Sequence, residues 1–201
     1  MVIIMKVLAI SGSYRSDGIT EQVIKIMEDT LRLSGVEVET IMLREYPIEF
    51  CLNCRACTQE PGTAPGKCVQ EDKMQELIEK MEEADALILA SPTNFGTVTA
   101  LFKRFMERLV AYAYWPWGIP TPQYRKNQAI QKKAVLVSSC AAPSILAYLF
   151  SDTIKRLKYA AKTIGAKTVG TMYIGLIAGE EHHKLSEGDK KRAEKLARKL
   201  L

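Results

Sequence analysis

Short apolar runs alternate with amphipathic segments along this chain, and this alternation constrains the fold more than any other feature. The run at residues 2–10 is almost continuously apolar, which is typical of a strand buried on both faces of a parallel sheet. Further strands are predicted at residues 36–43, 86–90, 134–138 and 168–174. Because helical segments separate these strands, we expect parallel pairing through right-handed crossovers.

The segments between the strands carry apolar residues at helical spacing, which predicts that these segments are helices. Predicted helices cover residues 19–34, 70–83, 101–109, 146–164 and 188–201. The order predicts one α/β domain over residues 1–201, a flavodoxin-like three-layer sandwich with helices on both faces of a five-stranded parallel sheet of order 2-1-3-4-5. In such sheets, ligands bind at the carboxyl ends of the strands, near the point where the strand order reverses.

The net charge of +5 says little about partners. Residues 189–201 hold six basic and two acidic residues, so one predicted helix carries +4 of this charge. We interpret it as a solvated face, because no aromatic residues are interleaved with the charges. No window approaches the ~18 consecutive apolar residues of a membrane span, and no basic residues precede the apolar start. We therefore expect a cytoplasmic protein without nucleic-acid or membrane partners.

Small residues, hydroxyls and an arginine follow the first predicted strand. The segment reads Ser11-Gly12-Ser13-Tyr14-Arg15-Ser16-Asp17-Gly18-Ile19-Thr20. Backbone N–H groups at a helix start, together with such side chains, suit a phosphate. The segment matches neither the dinucleotide fingerprint nor the Gly-Lys-Ser/Thr phosphate loop. From spacing alone, a phosphate site and an ordinary capped turn both remain open.

Four of the five cysteines fall close together, within a predicted cysteine-rich loop at residues 46–69. They are Cys51, Cys54, Cys57 and Cys68. Clustered cysteines in a chain of this size suggest metal or redox chemistry before disulfides. Three thiols with two-residue spacers and a fourth from elsewhere favour a [4Fe-4S] cluster over zinc, which usually takes two separated pairs. Zinc and unligated thiols remain as alternatives.

The loop after the first strand resembles that of the NADPH-dependent FMN reductase and iron-sulfur flavoprotein group. That group carries Gly-Ser-x-Arg-x-x-Gly-Asn-Thr at the position where it binds the FMN phosphate. The resemblance implies FMN as a cofactor, with its phosphate held by Ser11, Ser13, Arg15, Gly18 and Thr20. Ile19 stands where the group has asparagine, so only a backbone N–H is expected to contribute there.

The resemblance extends to two further loops. Ser91-Pro92-Thr93-Asn94-Phe95-Gly96 corresponds to the group's Ser-Pro-x-Tyr-x-Gly, and Phe102-Lys103 to its Leu-Lys. This implies contacts to the isoalloxazine ring from Pro92, Thr93, Asn94, Phe95, Gly96 and Thr97. The group's third flavin loop corresponds to Ser139, Cys140 and Ala141. The alternatives are an ordinary turn with a buried Phe95, and a Cys140 that is simply a small core residue.

The cysteine run lies where iron-sulfur flavoproteins carry their cysteine motif, although the ten-residue spacer before Cys68 is longer than theirs. The resemblance implies an oxidoreductase that passes electrons from ferredoxin or NAD(P)H to an acceptor, through FMN and a [4Fe-4S] cluster. The flavin would carry the chemistry, so no catalytic side chain is assigned, and NAD(P)H would bind transiently. A homodimer or homotetramer is implied. The alternatives are a cluster-free NAD(P)H-dependent FMN or quinone reductase and an electron carrier without substrate turnover.

Two other sequence features are an aromatic loop and a pair of adjacent histidines. The aromatic loop at residues 112–131 contains Tyr112, Tyr114, Trp115, Trp117 and Tyr124 among three prolines. Because rigid aromatic residues are enriched at interfaces, we predict an oligomer contact, with a wall over the flavin or core packing as alternatives. His182 and His183 are adjacent, so their side chains would point apart on a helix or strand. We interpret them as part of a solvated turn.

Overall fold

The computed structural model describes residues 4–126 and 132–201. The long strands are β1 (Lys6–Ser11), β2 (Glu37–Met42), β3 (Ala86–Ala90), β4 (Lys132–Ser139) and β5 (Ala166–Ile174). The helices are α1 (Ile19–Arg32), α2 (Met74–Glu83), α3 (Ala100–Arg108), α4 (Ser144–Phe150), α5 (Thr153–Thr163) and α6 (Glu187–Ala197). Short 3₁₀ helices span Ala56–Thr58 and Leu109–Tyr112. Residues 2 and 3 of the first predicted strand, and 127–131 of the aromatic loop, lie outside the described residues.

The strand order is β2-β1-β3-β4-β5, and every neighbouring pair is parallel, which confirms the predicted sheet. Because the strands are all parallel, the loops after β1, β3 and β4 share one edge of the sheet, and the strand order reverses between β1 and β3. Two short antiparallel pairs lie outside it. Thr93–Asn94 pairs with Thr97–Val98, and Ala113–Tyr114 pairs with Gln123–Tyr124.

The sheet separates two apolar cores, as a three-layer sandwich requires. Successive strand residues point to opposite faces. In β1, Leu8 and Ile10 therefore join the core under α2, α3 and α5, whereas Val7 and Ala9 join the core under α1 and α6. None of the helices in the described residues combines the length and apolar character that crossing a membrane would require.

The predicted helix at residues 146–164 is wrong as a single element. Ser151 adopts an extended conformation after α4, and α5 begins after Asp152. The N–H of Asp152 donates to the Gly96 carbonyl at 2.8 Å instead of continuing the helix. Ser and Asp side chains compete with the backbone for hydrogen bonds and are unfavourable inside helices, which is a local reason for the break.

The helix predicted from residue 70 also begins later, at Met74. The carboxylate of Asp72 accepts the Met74 N–H at 2.9 Å, so residues 70–72 lie before the first turn. This contact fixes where α2 starts.

Candidate functional site

A cleft of about 410 Å³ opens at the carboxyl ends of β1, β3 and β4. Its volume falls within the ~300–1,000 Å³ of small-molecule and cofactor sites. Residues from four loops distant in sequence meet there. The predicted cofactor residues that line it are Ser13, Arg15, Gly18, Thr20, Pro92, Asn94 and Ser139.

The amino end of α1 faces this cleft and is suited to an anion. The first N–H groups of a helix have no acceptor within the helix. Gly18 occupies the cap position, and no side chain of the described residues caps this end. The Thr20 hydroxyl is buried and lies 3.1 Å from the Ser139 hydroxyl, which joins the first loop to the third. Free N–H groups, the helix dipole and nearby hydroxyls are the elements of a phosphate site.

Close packing fixes the loop that leads to this helix. The Gly12 N–H donates to the Ala90 carbonyl at 2.8 Å, and the Gly12 carbonyl accepts the Thr99 hydroxyl at 2.7 Å. A Cβ on Gly12 would lie 2.7 Å from the Cβ of Phe102. The loop therefore needs glycine here so that α3 can pack against it.

Arg44 supports the same loop from the end of β2. Its guanidinium lies 3.5 Å from the Ser13 carbonyl and 3.4 Å from the Arg15 carbonyl, and it pairs with Glu21. The hydrogen bond to Glu21 raises the pKa of Arg44, outweighing the opposing effect of burial. The pair holds the loop in place before any ligand binds.

The other predicted cofactor residues do not line the cleft. Ser11 is buried and its hydroxyl accepts the Ser13 N–H at 3.3 Å. Thr93 is half-buried and joins a polar network with Ser138, Thr153 and Tyr173. Phe95 and Gly96 form the tip of the short hairpin, both with positive φ, and Thr97 pairs with Asn94. Phe95 is fully exposed rather than buried in a turn. Cys140 is buried, its thiol 3.0 Å from the Ala142 carbonyl, and Ala141 is exposed.

Sequence reasoning missed part of the lining. The additional residues are Tyr14, Ser16, Asp17, Ile19, Thr99, Ile177, Glu181, His182 and His183. The last four follow β5, and the rule that ligands bind at the carboxyl ends of parallel strands was a signal that could have found them.

The clustered cysteines line a second, smaller pocket of about 50 Å³ beside α2 and α3. Cys57 is buried, Cys51 and Cys68 are half-buried, and Cys54 is exposed. Burial, followed by the charges of the three neighbouring thiols, raises the pKa of Cys57 to about 11. Within the described residues, no three His, Cys, Asp or Glu side chains lie close enough to hold a metal ion. The thiols thus share a pocket without forming a closed ligand set.

The donor chemistry of this pocket suits a soft metal or an iron-sulfur cluster, because thiolates are the ligands that both prefer. Arg108 lines the same pocket and is almost fully buried. It bonds both carboxylate oxygens of Asp72, at 2.5 and 3.1 Å, and the Glu49 carbonyl at 2.8 Å. Asp72 and Cys68 both raise the pKa of Arg108 against the lowering effect of burial. The buried guanidinium of Arg108 therefore places a positive charge beside the cysteines, where deprotonation would produce negative thiolates.

The aromatic loop is fastened to the cysteine loop through Arg55. The guanidinium carbon lies 3.9 Å from the Trp115 ring centroid and 4.2 Å from that of Trp117. The Nη2 group of Arg55 also donates to the carbonyls of Trp115 and Pro116, at 2.5 and 3.1 Å. The backbone N–H of Trp115 donates to the Thr58 carbonyl at 2.8 Å. Within this chain, this part of the aromatic loop contacts and supports the cysteine loop.

A second arginine fastens the spacer before Cys68. Arg125 donates to the carbonyls of Glu60 and Gly62, at 2.8 and 3.0 Å. The Gly66 N–H donates to the Ala111 carbonyl at 2.8 Å, and a Cβ on Gly66 would overlap the Cys57 carbonyl. The long spacer is therefore folded back against the protein, which brings Cys68 to the other three cysteines.

A family model described as NADPH-dependent FMN reductase matches residues 5–175. An iron-sulfur flavoprotein of Archaeoglobus fulgidus is 38% identical over 112 residues, covering 56% of this chain and 49% of that protein. One from Methanocaldococcus jannaschii is 38% identical over 104 residues, covering 52% and 51% respectively. One from Methanosarcina thermophila is 32% identical over 129 residues, covering 64% and 59%. The chain thus spans about half the length of the first two relatives.

Two solved structures share the fold at low sequence identity. An NAD(P)H:quinone oxidoreductase from Methanothermobacter marburgensis superposes with a TM-score of 0.70 at 20% identity, covering 98% of both chains. An azoreductase from Bacillus anthracis gives a TM-score of 0.71 at 14% identity, covering 98% of this chain and 100% of that one. At these identities the likeness concerns the architecture alone.

Proposed function

This chain belongs to the NADPH-dependent FMN reductase family, and on that premise we propose that it is an FMN-dependent oxidoreductase whose flavin occupies the cleft of β1, β3 and β4. The observation that carries the proposal is the uncapped start of α1 facing a cofactor-sized cleft lined by Ser13 and Thr20. The predicted resemblance to this family is confirmed by the family match.

Each side of the cleft has a role in this proposal. The N–H groups of Ile19 and Thr20, with the hydroxyls of Ser13 and Thr20, would hold the phosphate. Pro92 and Asn94, from the loop after β3, would border the ring system. Bound FMN supplies both hydride and single-electron transfer. The chain itself has to bind, orient and shield the group, so no catalytic acid or base is proposed.

The second part of the proposal is a [4Fe-4S] cluster held by Cys51, Cys54, Cys57 and Cys68. It is supported by the shared pocket, by the thiolate donors, and by the name iron-sulfur flavoprotein carried by the relatives. Loading requires the thiols to converge and Cys57 to lose its proton. Arg108 would balance part of the resulting charge. Together, the two centres would connect two-electron and one-electron partners.

Calorimetric titration with FMN and riboflavin tests the flavin site. Thr20→Val should weaken FMN binding by about tenfold or more, because a hydrogen bond to a charged group contributes ~1.5–3 kcal/mol. Riboflavin, which lacks the phosphate, should bind both proteins equally. Ser34→Ala, at the opposite end of α1, is the matched control. A chain that binds neither flavin contradicts the proposal.

Anaerobic reconstitution tests the cluster. The protein should retain about four irons and four sulfides per chain. Cys57→Ser and Cys68→Ser should lower both values, whereas Cys140→Ser should leave them unchanged. Retention of zinc, or of no metal, would favour the cluster-free NAD(P)H-dependent FMN or quinone reductase.

The donor is proposed to be ferredoxin or NAD(P)H, and rates with NADH, NADPH and reduced ferredoxin distinguish the alternatives. Reduction by ferredoxin alone supports the electron-carrier function. Rapid NAD(P)H oxidation with a quinone supports the reductase. The cytoplasm is the proposed compartment, because unpaired clustered cysteines are typical of a reducing environment.

A homodimer or homotetramer is also proposed. The helix α4 supports it, because Ile145, Leu146, Tyr148, Leu149 and Phe150 are all exposed. An apolar face of this kind is typical of an interaction surface. By contrast, Trp115 of the predicted aromatic interface packs on Arg55 of the same chain.

A further inference from the structure

The loop between β5 and α6 crosses one side of the flavin cleft. We define residues 180–185 as the histidine strap. Glu181, His182 and His183 of this strap line the same cleft as Ser13 and Arg15. The strap therefore faces the end of the cleft at which the phosphate of FMN is proposed to bind.

Hydrogen bonds fix the backbone of the strap on both sides of the histidines. The Arg15 guanidinium donates to the Glu181 carbonyl. The Gln22 side chain donates to the His183 carbonyl at 3.0 Å and accepts the Leu185 N–H at 3.2 Å. Since Gln22 belongs to α1, the strap is held by the same helix whose amino end faces the cleft.

The imidazole rings of His182 and His183 take no part in the hydrogen bonds that hold the strap. His182 is exposed and His183 is half-buried. Within the described residues, neither ring takes part in a hydrogen bond, although both line the cleft. The anchoring contacts use main-chain carbonyls, so both rings are free to meet a ligand.

The charges that line the cleft leave a bound phosphate only partly neutralised. A phosphate monoester carries a charge of about −1.5 to −2 at pH 7. Arg15 supplies one cation to the lining, but the carboxylates of Asp17 and Glu181 offset it. Behind the loop, Arg44 is paired with Glu21 and Glu45. A dianion entering this cleft would therefore gain from further positive charge, which two imidazolium rings can provide.

Resting on the proposed function, we propose that His182 and His183 bind the phosphate of FMN, select it over riboflavin, and make its affinity depend on pH. Imidazole is the side chain that changes charge between pH 5 and 8. The histidine contribution should thus grow as pH falls from 8.5 to 6.5, a range in which the phosphate stays largely doubly ionised.

Calorimetry with FMN and riboflavin at pH 6.5 and 8.5 tests the proposal. The double variant His182→Gln/His183→Gln should lose about tenfold in FMN affinity at pH 6.5, the size of one charge-assisted hydrogen bond, and less at pH 8.5. Riboflavin affinity should not change at either pH. Lys184→Gln alters charge within the strap outside the lining and should leave the FMN affinity close to that of the unsubstituted chain.

A further variant separates phosphate binding from support of the fold. His183→Arg should restore FMN affinity in the His182→Gln background and reduce its dependence on pH, because arginine remains charged throughout. Equal FMN affinity of the double variant and the unsubstituted chain at pH 6.5 would overturn the proposal. So would parallel losses of FMN and riboflavin affinity. Failure of the unsubstituted chain to bind FMN would instead contradict the proposed function.

Discussion

Arg55 connects the two long loops by stacking on two tryptophan rings and by bonding two main-chain carbonyls. Stacking on two tryptophan rings and bonding two carbonyls both depend on a planar, forked cation, so lysine is not an equivalent substitute. We expect Arg55→Lys to lower the free energy of unfolding by about 1–2 kcal/mol and to reduce iron retention. Urea unfolding and iron analysis measure the two effects.

The matched control is Arg104→Lys. Arg104 approaches one ring, that of Phe50, at 5.7 Å. Its replacement should change stability by less than ~0.5 kcal/mol. Equal effects of the two substitutions would show that stacking on Trp115 and Trp117 contributes nothing particular to the cysteine loop.

Gly66 sets how closely the spacer approaches Cys57. Because an added Cβ would overlap a backbone oxygen, Gly66→Ala forces the main chain to move. We expect a loss of about 1–3 kcal/mol in stability and impaired iron loading, measured by thermal unfolding and iron content. Gly179→Ala would place its Cβ within 4 Å of no other atom and should be neutral. Unchanged iron loading in Gly66→Ala would contradict the role given to this glycine.

At this scale the sequence predicted residues whose roles are local. Ser13 and Thr20 follow from the composition of a strand–helix junction, and the cysteines follow from their spacing. Arg55 could not be predicted, because its importance depends on Trp115 and Trp117, some 60 residues away. The interpretation of His182 and His183 as part of a solvated turn stays a prediction. That both line the cleft could not be predicted, because the contacts that hold their backbone come from α1 and not from their own segment.

Among the helices, the start of α2 is tied to the end of α3 by the buried pair of Asp72, two residues before α2, and Arg108, the last residue of α3. Asp72 also accepts N–H groups from Glu49 and Met74. Asp72→Asn would leave the guanidinium buried without its counter-charge, which is expected to lower stability by about 3–5 kcal/mol. Urea unfolding at pH 7 measures this loss, and Asp29→Asn, on the exposed side of α1, is the control.

The same pair predicts a response to acid. Burial raises the pKa of Asp72, but the hydrogen bonds from Arg108 and two backbone N–H groups outweigh it and lower the pKa below its ordinary 3.8. A carboxyl whose folded-state pKa is lowered contributes stability that is fully present above pH 3.8 and is lost as pH falls through the folded-state value. Between pH 5 and 3, Asp72→Asn should therefore lose less stability than the unsubstituted chain. Identical slopes would contradict this account.

The break between α4 and α5 shows what periodicity cannot reveal about an element. Apolar residues continue at helical spacing through Leu146, Leu149, Phe150, Ile154 and Leu157. The last two are buried, whereas the first three are exposed. The spacing is the same whether a stripe faces the sheet or faces outward, so only the tertiary structure distinguishes the two halves.

For the molecule as a whole, the exposed face of α4 is the clearest indication of self-association. Large side chains present ~150–250 Å² each when fully exposed. The five residues of α4 and the nearby Phe95 therefore expose on the order of 800 Å², about what one partner contributes to a standard interface. The double variant Ile145→Glu/Leu149→Glu should reduce the mass in solution to that of one 22.5 kDa chain.

Light scattering measures this mass, and Leu33→Glu is the control, because Leu33 is an isolated exposed leucine at the end of α1. A monomeric unsubstituted chain, or an oligomer unaffected by the α4 substitutions, would contradict the proposed interface.

The architecture itself was predictable because alternating strands and helices leave few ways to bury both faces of a parallel sheet. Strand order and the edge that carries the loops followed from this. The contacts between the loops at residues 46–69 and 112–126 could not be predicted. They join arginine side chains to carbonyls distant in sequence and therefore leave no periodic pattern.

The stacking on Arg55 also has a practical consequence. Trp115 and Trp117 are the chain's two tryptophans, and both lie against Arg55, which directly follows Cys54. Tryptophan emission from this protein therefore originates entirely beside the cysteine loop. Metal loading, thiol oxidation or loosening of that loop can be followed by intrinsic emission without any added label, separately from events in the rest of the fold.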